Sequence, residues 1–221
     1  LVIIVATKTN LFYKTPPIQF QPVLATSAFA FWIHFFLCID LYVPSLHIFT
    51  IDREKQPLRA KGSALLFSDG SNFVAGMVYL GAIALIDYTY PRRSLPSTAP
   101  SFLQLVGGVL ASLLLYDALF FPVHYLFHHV KYLASFHSRH HTHSPLSANE
   151  ILRHGFVDGS LQVFANIAAF KLLGSHPLVR ALHNIVVTYL LTECHSGYDF
   201  PWMLHRWPGI GTWYGGSPRH E

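Results

Sequence analysis

Long apolar runs separated by short polar segments set the pattern of this chain. A full bilayer crossing takes about 20 apolar residues. Four stretches approach that length or could enter a bilayer: Val23 to Phe49, Phe73 to Ile86, Phe102 to Phe121 and Leu178 to Cys194. The second is short, so it reads either as a crossing or as a segment that dips in and returns. The first carries His34, Asp40 and Pro44, which predicts a bend or an exit near Asp40. A further helix, amphipathic or partly embedded, is expected from Phe156 to Gly174.

Basic residues suggest an orientation. Arg53, Lys55, Arg59 and Lys61 mark the loop from Asp52 to Lys61 as cytoplasmic by the positive-inside rule. Arg92 and Arg93 lie in the loop from Pro91 to Pro100. If Phe73 to Ile86 returns, both loops share the cytoplasmic side; if it spans, they lie on opposite sides. The pattern leaves both open.

Composition agrees with a membrane setting. Charged residues make up 12% of the 221 and hydrophobic ones 52%, with a mean hydropathy of +0.35, whereas a soluble domain is about a quarter charged. A net charge of +4 is ordinary for a membrane protein with basic cytoplasmic loops and does not argue for nucleic acid. Cys38 and Cys194 both lie in apolar segments and are expected to pack rather than form a disulfide framework. The chain starts at Leu1 with no basic region before its first apolar run, so no cleavable signal peptide is expected. A truncation at either end is expected instead.

The histidines divide the chain in two. Residues 1–121 hold His34 and His47, and residues 122–221 hold the other thirteen. The expected fold is an all-α integral membrane bundle of three to four apolar helices (1–121), carrying a histidine-rich helical cap on its cytoplasmic side (122–221).

Spacing is what gives these histidines chemical meaning. Residues three or four apart share a helix face. His124 and His128 therefore point together, as do His137, His140 and His141, and His195 and His220 follow later. An isolated histidine is ordinarily a hydrogen-bonded packing residue; five in two such boxes point to a metal. Structural zinc closes with four ligands, usually including thiolates, and catalytic zinc commonly takes three histidines. Imidazole suits iron, copper, nickel and zinc alike, so ligand type does not choose the metal. The ligand number favours a pair of ions.

The runs His124-Tyr-Leu-Phe-His128-His129, His137-Ser-Arg-His140-His141 and His195-Ser-Gly-Tyr-Asp-Phe-Pro-Trp202 resemble the histidine boxes of the fatty acid hydroxylase superfamily of membrane di-iron enzymes, which includes sterol desaturases. The His195 segment, with Gly215-Gly216-Ser217 and His220-Glu221, is most similar to the C4-sterol methyl oxidases. The resemblance covers roughly residues 110–221. It implies two iron ions, dioxygen, and electrons from NAD(P)H through cytochrome b5 or a reductase. It further implies a lipid substrate, a sterol C4-methyl group, arriving from the bilayer, in an endoplasmic reticulum membrane with the boxes on the cytoplasmic side. His124, His128, His137, His140, His141, His195 and His220 are the implied ligands.

Departures from the family pattern add candidates. The last box is H-x-x-H-H in the family, and only His220 of it is present before Glu221, so two ligands are expected beyond it. Where the family shows a His-Pro pair with an acidic residue, this chain has His154-Gly-Phe-Val-Asp158, which makes His154 a candidate ligand. His143, which adjoins the second box, is another. Asp117, two turns before His124 on the same helical face, is a candidate to orient an imidazole, and Asp199 joins it as a candidate carboxylate. His129, His176, His183 and His205 fall outside the spacings and are expected to pack.

A fatty acyl hydroxylase or desaturase of the same superfamily shares these boxes, because hydroxylation and desaturation begin with the same hydrogen abstraction. A non-catalytic metal binder or transporter is the competing class, since intramembrane histidines also mark ion pathways. A transporter would spread its ligands along several spans, whereas these cluster at one end.

Overall fold

In the computed structural model, the described residues are 17–46, 98–141, 147–148, 151, 156–212 and the single positions 81, 85, 89, 214 and 216. Among the described residues the α-helices with defined bounds run in order: α1 (Pro17–Tyr42), α2 (Phe102–His129), α3 (Lys131–His141), α4 (Phe156–Leu173) and α5 (Pro177–Ser196). Short 3-10 turns cover Pro44–Leu46, Leu204–Arg206 and Ile210–Thr212. All these elements are helical, as the pattern predicts.

Local chemistry sets the helix ends. Ser101 caps α2 by accepting from the Gln104 backbone at 3.3 Å, while the Gln104 side chain accepts from the Ser101 backbone at 2.8 Å. That reciprocal pair satisfies two N–H groups without helical partners. Helix α1 stops before Pro44 near the expected exit, and Asp40 accepts a hydrogen bond from the Tyr198 hydroxyl at 2.6 Å. Helices α4 and α5 form a hairpin closed at Gly174 (φ 57°), whose neighbour Ser175 bonds back to the Phe170 carbonyl at 3.1 Å. Helix α2 runs eight residues beyond the apolar run that ends at Phe121, through Pro122, so the first histidine box belongs to the same rod as the apolar run.

Two helices, α1 over Val23–Tyr42 and α2 over Phe102–His129, are long and apolar enough to cross a membrane. They bury only 22% and 11% of those windows inside the protein. A core helix of a soluble domain hides such a surface; here Phe102, Leu103, Leu110, Leu114 and Phe121 stand outward, as a face suited to lipid does. Helix α5, expected as a fourth apolar stretch, differs. It is the central helix and carries buried His183, Asn184, Thr188, Thr192 and Glu193. The Thr188 and Thr192 hydroxyls donate to the Asn184 and Thr188 carbonyls at 2.7 Å each, which satisfies them inside the bundle. The sequence pattern averages over such residues and so reads the helix as apolar.

The helix directions are fixed by paired contacts. Along α1 and α5, the Gln21 amide donates to the Pro177 carbonyl at 3.0 Å and the Trp32 indole to the Ile185 carbonyl at 3.2 Å. Both sequences rise together, so the helices are parallel. Along α2 and α5, Gly108 lies against Val179, Ser112 meets His183 at 2.8 Å, and Tyr116 packs with Val187. These are parallel too. A Cβ on Gly108 would fall 2.9 Å from Val179 Cγ2, so glycine permits the close approach. Helix α1 therefore finishes at the end of the bundle where α2 also finishes. Thr98, hydrogen-bonded to His176, lies at the other end.

Candidate metal centre

Helix α2 carries His124 and His128 on one face near its end. The chain then breaks at Val130, whose extended backbone (φ −99°, ψ 111°) lets α3 fold back and bring up His137. The Nε2 atoms converge: His128 to His124 at 3.3 Å and His137 to His128 at 3.2 Å, with ligand atoms of all three within 4.8 Å of one another. The three rings meet edge to face, at centroid separations of 4.6 to 4.9 Å.

A carboxylate fixes the third ring. His137 Nδ1 donates to Asp158 Oδ2 at 2.8 Å, and both side chains are buried, at 2% and 0% exposure. Because Nδ1 holds the proton, Nε2 presents its lone pair toward the other two histidines. Two ligands held by one ion at about 2.1 Å sit roughly 3.0 to 3.4 Å apart for octahedral or tetrahedral angles. The observed 3.2 and 3.3 Å fit that requirement. The donor set, neutral imidazoles with a carboxylate behind one of them, therefore suits a divalent transition metal such as iron.

The other candidates are placed as follows. His140 and His141 lie on α3 with His137, but their side chains are outside the described residues. His143, His154 and His220 are also outside them. His195, buried near the end of α5, donates Nδ1–H to the Leu191 carbonyl at 2.7 Å, which leaves its lone pair on Nε2. The parallel register pairs 108 with 179 and 112 with 183, and its continuation sets His195 at the level of His124. His129 turns away, donating to the Tyr125 carbonyl at 2.8 Å and stacking on that ring.

Among the described residues, neither carboxylate candidate from the sequence bonds to a box histidine. Asp117 is exposed on α2 and shows no hydrogen bond to a histidine among the described residues. Asp199 is engaged with Arg206 and with His205, at 2.7 Å from its Nε2. Hydrogen bonding from the Arg206 guanidinium holds the Asp199 carboxyl below its ordinary range. The orienting carboxylate is Asp158, which the sequence reading named only as part of a departure from the family pattern. Its signal was an acidic residue in the first turn of the helix that follows the second box.

The fatty acid hydroxylase family matches residues 109–221. The chain belongs to the fatty acid hydroxylase family. It is 32% identical to cholesterol 25-hydroxylase of Homo sapiens over 198 residues, covering 84% of this chain and 68% of the relative. The Mus musculus cholesterol 25-hydroxylase is likewise 32% identical, with 84% and 62% covered. Cholesterol 25-hydroxylase-like protein 1, member 2 of Danio rerio is 30% identical over 215 residues, 91% of this chain and 74% of the relative. The chain thus spans about two thirds of the length of these relatives. No solved structure matches it. Within this family the His124, His128 and His137 cluster falls inside the matched region, together with Asp158 and His195.

Proposed function

We propose that the protein is a membrane-bound di-iron oxygenase that hydroxylates a sterol. The observation that carries this reading is the convergence of three imidazole nitrogens, backed by Asp158, at the end of a helix whose outer face is apolar. His124, His128 and His137 would hold iron, with His140, His141, His195 and His220 as the further ligands of a two-ion site. Iron bound there would supply the activation of dioxygen and the attack on an unactivated C–H bond.

The chain's own residues do the rest. Asp158 keeps the His137 proton on Nδ1 and the ring in place, so that Nε2 faces the centre. Phe127 stacks on His137 at 5.5 Å and Phe120 lies 5.4 Å from His124, which places apolar rings beside two of the three ligands. A lipid approaches along the outward faces of α1 and α2 without leaving the bilayer.

The relatives move the expected position of attack. The His195 to Trp202 segment suggested a C4-methyl group; relatives named for 25-hydroxylation favour the sterol side chain. The electron source remains NAD(P)H through cytochrome b5 or a reductase, which requires the histidine end to face the cytoplasm. The basic stretch from Asp52 to Lys61, which comes next after α1 in the sequence, would carry the positive-inside signal. Residues 1–121 then anchor and residues 122–221 catalyse, in the endoplasmic reticulum membrane.

The test is turnover. Microsomes bearing the protein, supplied with NADPH, dioxygen and cholesterol, should yield a side-chain hydroxysterol by mass spectrometry, and His128→Ala should yield none. Oxidation of a C4-methyl sterol alone would return the reading to the first expectation. Oxidation of fatty acyl chains without sterols would place the protein among the acyl hydroxylases.

A further inference from the structure

The loop that leaves α5 has two distinct sides. Its backbone pairs within itself: the N–H groups of Met203, Arg206, Trp207 and Gly211 donate to the carbonyls of Phe200, Met203, Leu204 and Trp207 at 2.9 to 3.1 Å, and that of Phe200 donates to the Met203 sulfur at 3.2 Å. The inner side is fixed by packing. Met203 is buried with Tyr198 and Phe36, while His205 bonds Asp199 at 2.7 Å and lies 3.4 Å from Glu193 in the last turn of α5. The outer side is apolar. Trp202, Trp207 and Ile210 are 56%, 49% and 41% exposed, with Pro201 and Pro208 exposed beside them. Arg206, the cation of this loop, already pairs with Asp199.

Position indicates what covers the outer side. The rings of Phe36 on α1, Tyr198, Phe200 and Trp202 form one stack, with successive centroid separations of 6.4, 5.2 and 4.5 Å and planes within 21° of parallel. The Tyr198 hydroxyl bonds Asp40, close to the end of α1. The loop is therefore held at the level where a helix long and apolar enough to cross a membrane finishes, and where Tyr42 is 82% exposed. Trp and Tyr collect at that depth, because an indole or phenol joins an apolar body to one polar group and so suits a boundary that is wet on one side. Peptide groups left bare there would oppose insertion, whereas these N–H groups meet acceptors of the same loop. We infer that Trp202, Trp207 and Ile210 insert at the boundary between lipid headgroups and acyl chains, in the leaflet where α1 and α2 end. The occupant is lipid rather than a soluble partner: the exposed side is continuous, through the ring stack, with a spanning helix, and its charge is already paired. Through His205 and Glu193 the anchored loop also holds the end of α5, and with it His195, at the membrane surface. This anchoring goes beyond the hydroxylase reading and does not depend on the reaction.

The experiment reads lipid contact without turnover. The purified full chain is placed in phosphatidylcholine nanodiscs, either plain or brominated near the top of the acyl chain, and its tryptophan emission is compared with that of a variant carrying Trp202→Phe and Trp207→Phe. The emission that the two substitutions remove is the component of interest. It should lose more intensity to bromine in the lipid than to iodide in the water. A component that loses at least as much to iodide faces water, and one that loses little to either is covered by another copy of the chain; each result would overturn the inference. A second measurement needs no substitution, and so stands even if the variant misfolds. Phosphatidylcholine carrying a diazirine near the top of its acyl chain, irradiated with the unsubstituted protein, should leave adducts on the peptide covering 200–210. Adducts on α1 and α2 with none on that peptide would equally sink the proposal.

Discussion

Asp158, in the first turn of α4, accepts the Nδ1 proton of His137 on α3 at 2.8 Å, with both side chains buried. Through this one bond α4, which contributes no described histidine to the cluster, sets the direction of a ring that belongs to it.

Removing the bond should loosen metal. Carboxylates behind ligating histidines are worth roughly 10- to 100-fold in metal affinity. Asp158→Ala is expected to weaken iron binding by about that factor, and Asp158→Asn by less, since its amide oxygen still accepts from Nδ1. Iron titration of the purified apoprotein measures both. Equal affinities in all three proteins would show that the carboxylate only packs.

Neighbouring histidines on α2 should behave differently. His128 points its Nε2 into the cluster, while His129 bonds the Tyr125 carbonyl and stacks on that ring. His128→Ala should lower the iron content and reduce product formation to background, whereas His129→Ala should keep most of both. Metal analysis beside an activity assay separates the two, and comparable losses would reverse the assignment of the first box.

Acid sensitivity should report the Asp199–Arg206 pair. The folded-state pKa of Asp199 is depressed by Arg206, so its contribution is present above the unfolded value of about 3.9 and disappears as pH falls through the folded one. Arg206→Ala should lower the melting temperature most above about pH 4 and converge with the unsubstituted protein in stronger acid. A difference that grew on acidification would contradict the sign.

Labelling can test the direction of the bundle. Thr98 lies at the start of α2 and Ser135 on α3 beyond its end, both exposed. Single cysteines at these positions should react with an impermeant reagent from opposite faces of sealed vesicles. Reaction from the same face would mean that α2 does not cross.

The apolar runs and the histidine spacing made the described helices and the pairing of His124 with His128 legible, because both follow from the 3.6-residue period. Asp158 was not legible, since its role depends on α4 meeting α3, a contact between segments 21 residues apart. Asp117 shows the converse: seven residues from His124 it shares a face by counting, but that part of the face is exposed. The polar interior of α5 was obscured for a different reason. His183, Asn184, Thr188, Thr192 and Glu193 are spaced among apolar residues, so the averaged pattern reads the helix as apolar although their side chains are buried. The parallel contacts of α1 and α2 with α5 could not be read from the charge pattern.

Continuity between the apolar run and the first histidine box, in one rod from Phe102 to His129, imposes an order of assembly. The first two imidazoles enter the bilayer region with α2 during synthesis, before α3 supplies the third and α4 the carboxylate that steadies it. If iron binds at this cluster as proposed, its capture is a closing event, possible only when helices made later have returned to one made earlier. A cell short of iron would accumulate inserted but unclosed chains, and their α3 and α4, lacking the ion that ties them to α2, would be the first segments open to proteolysis.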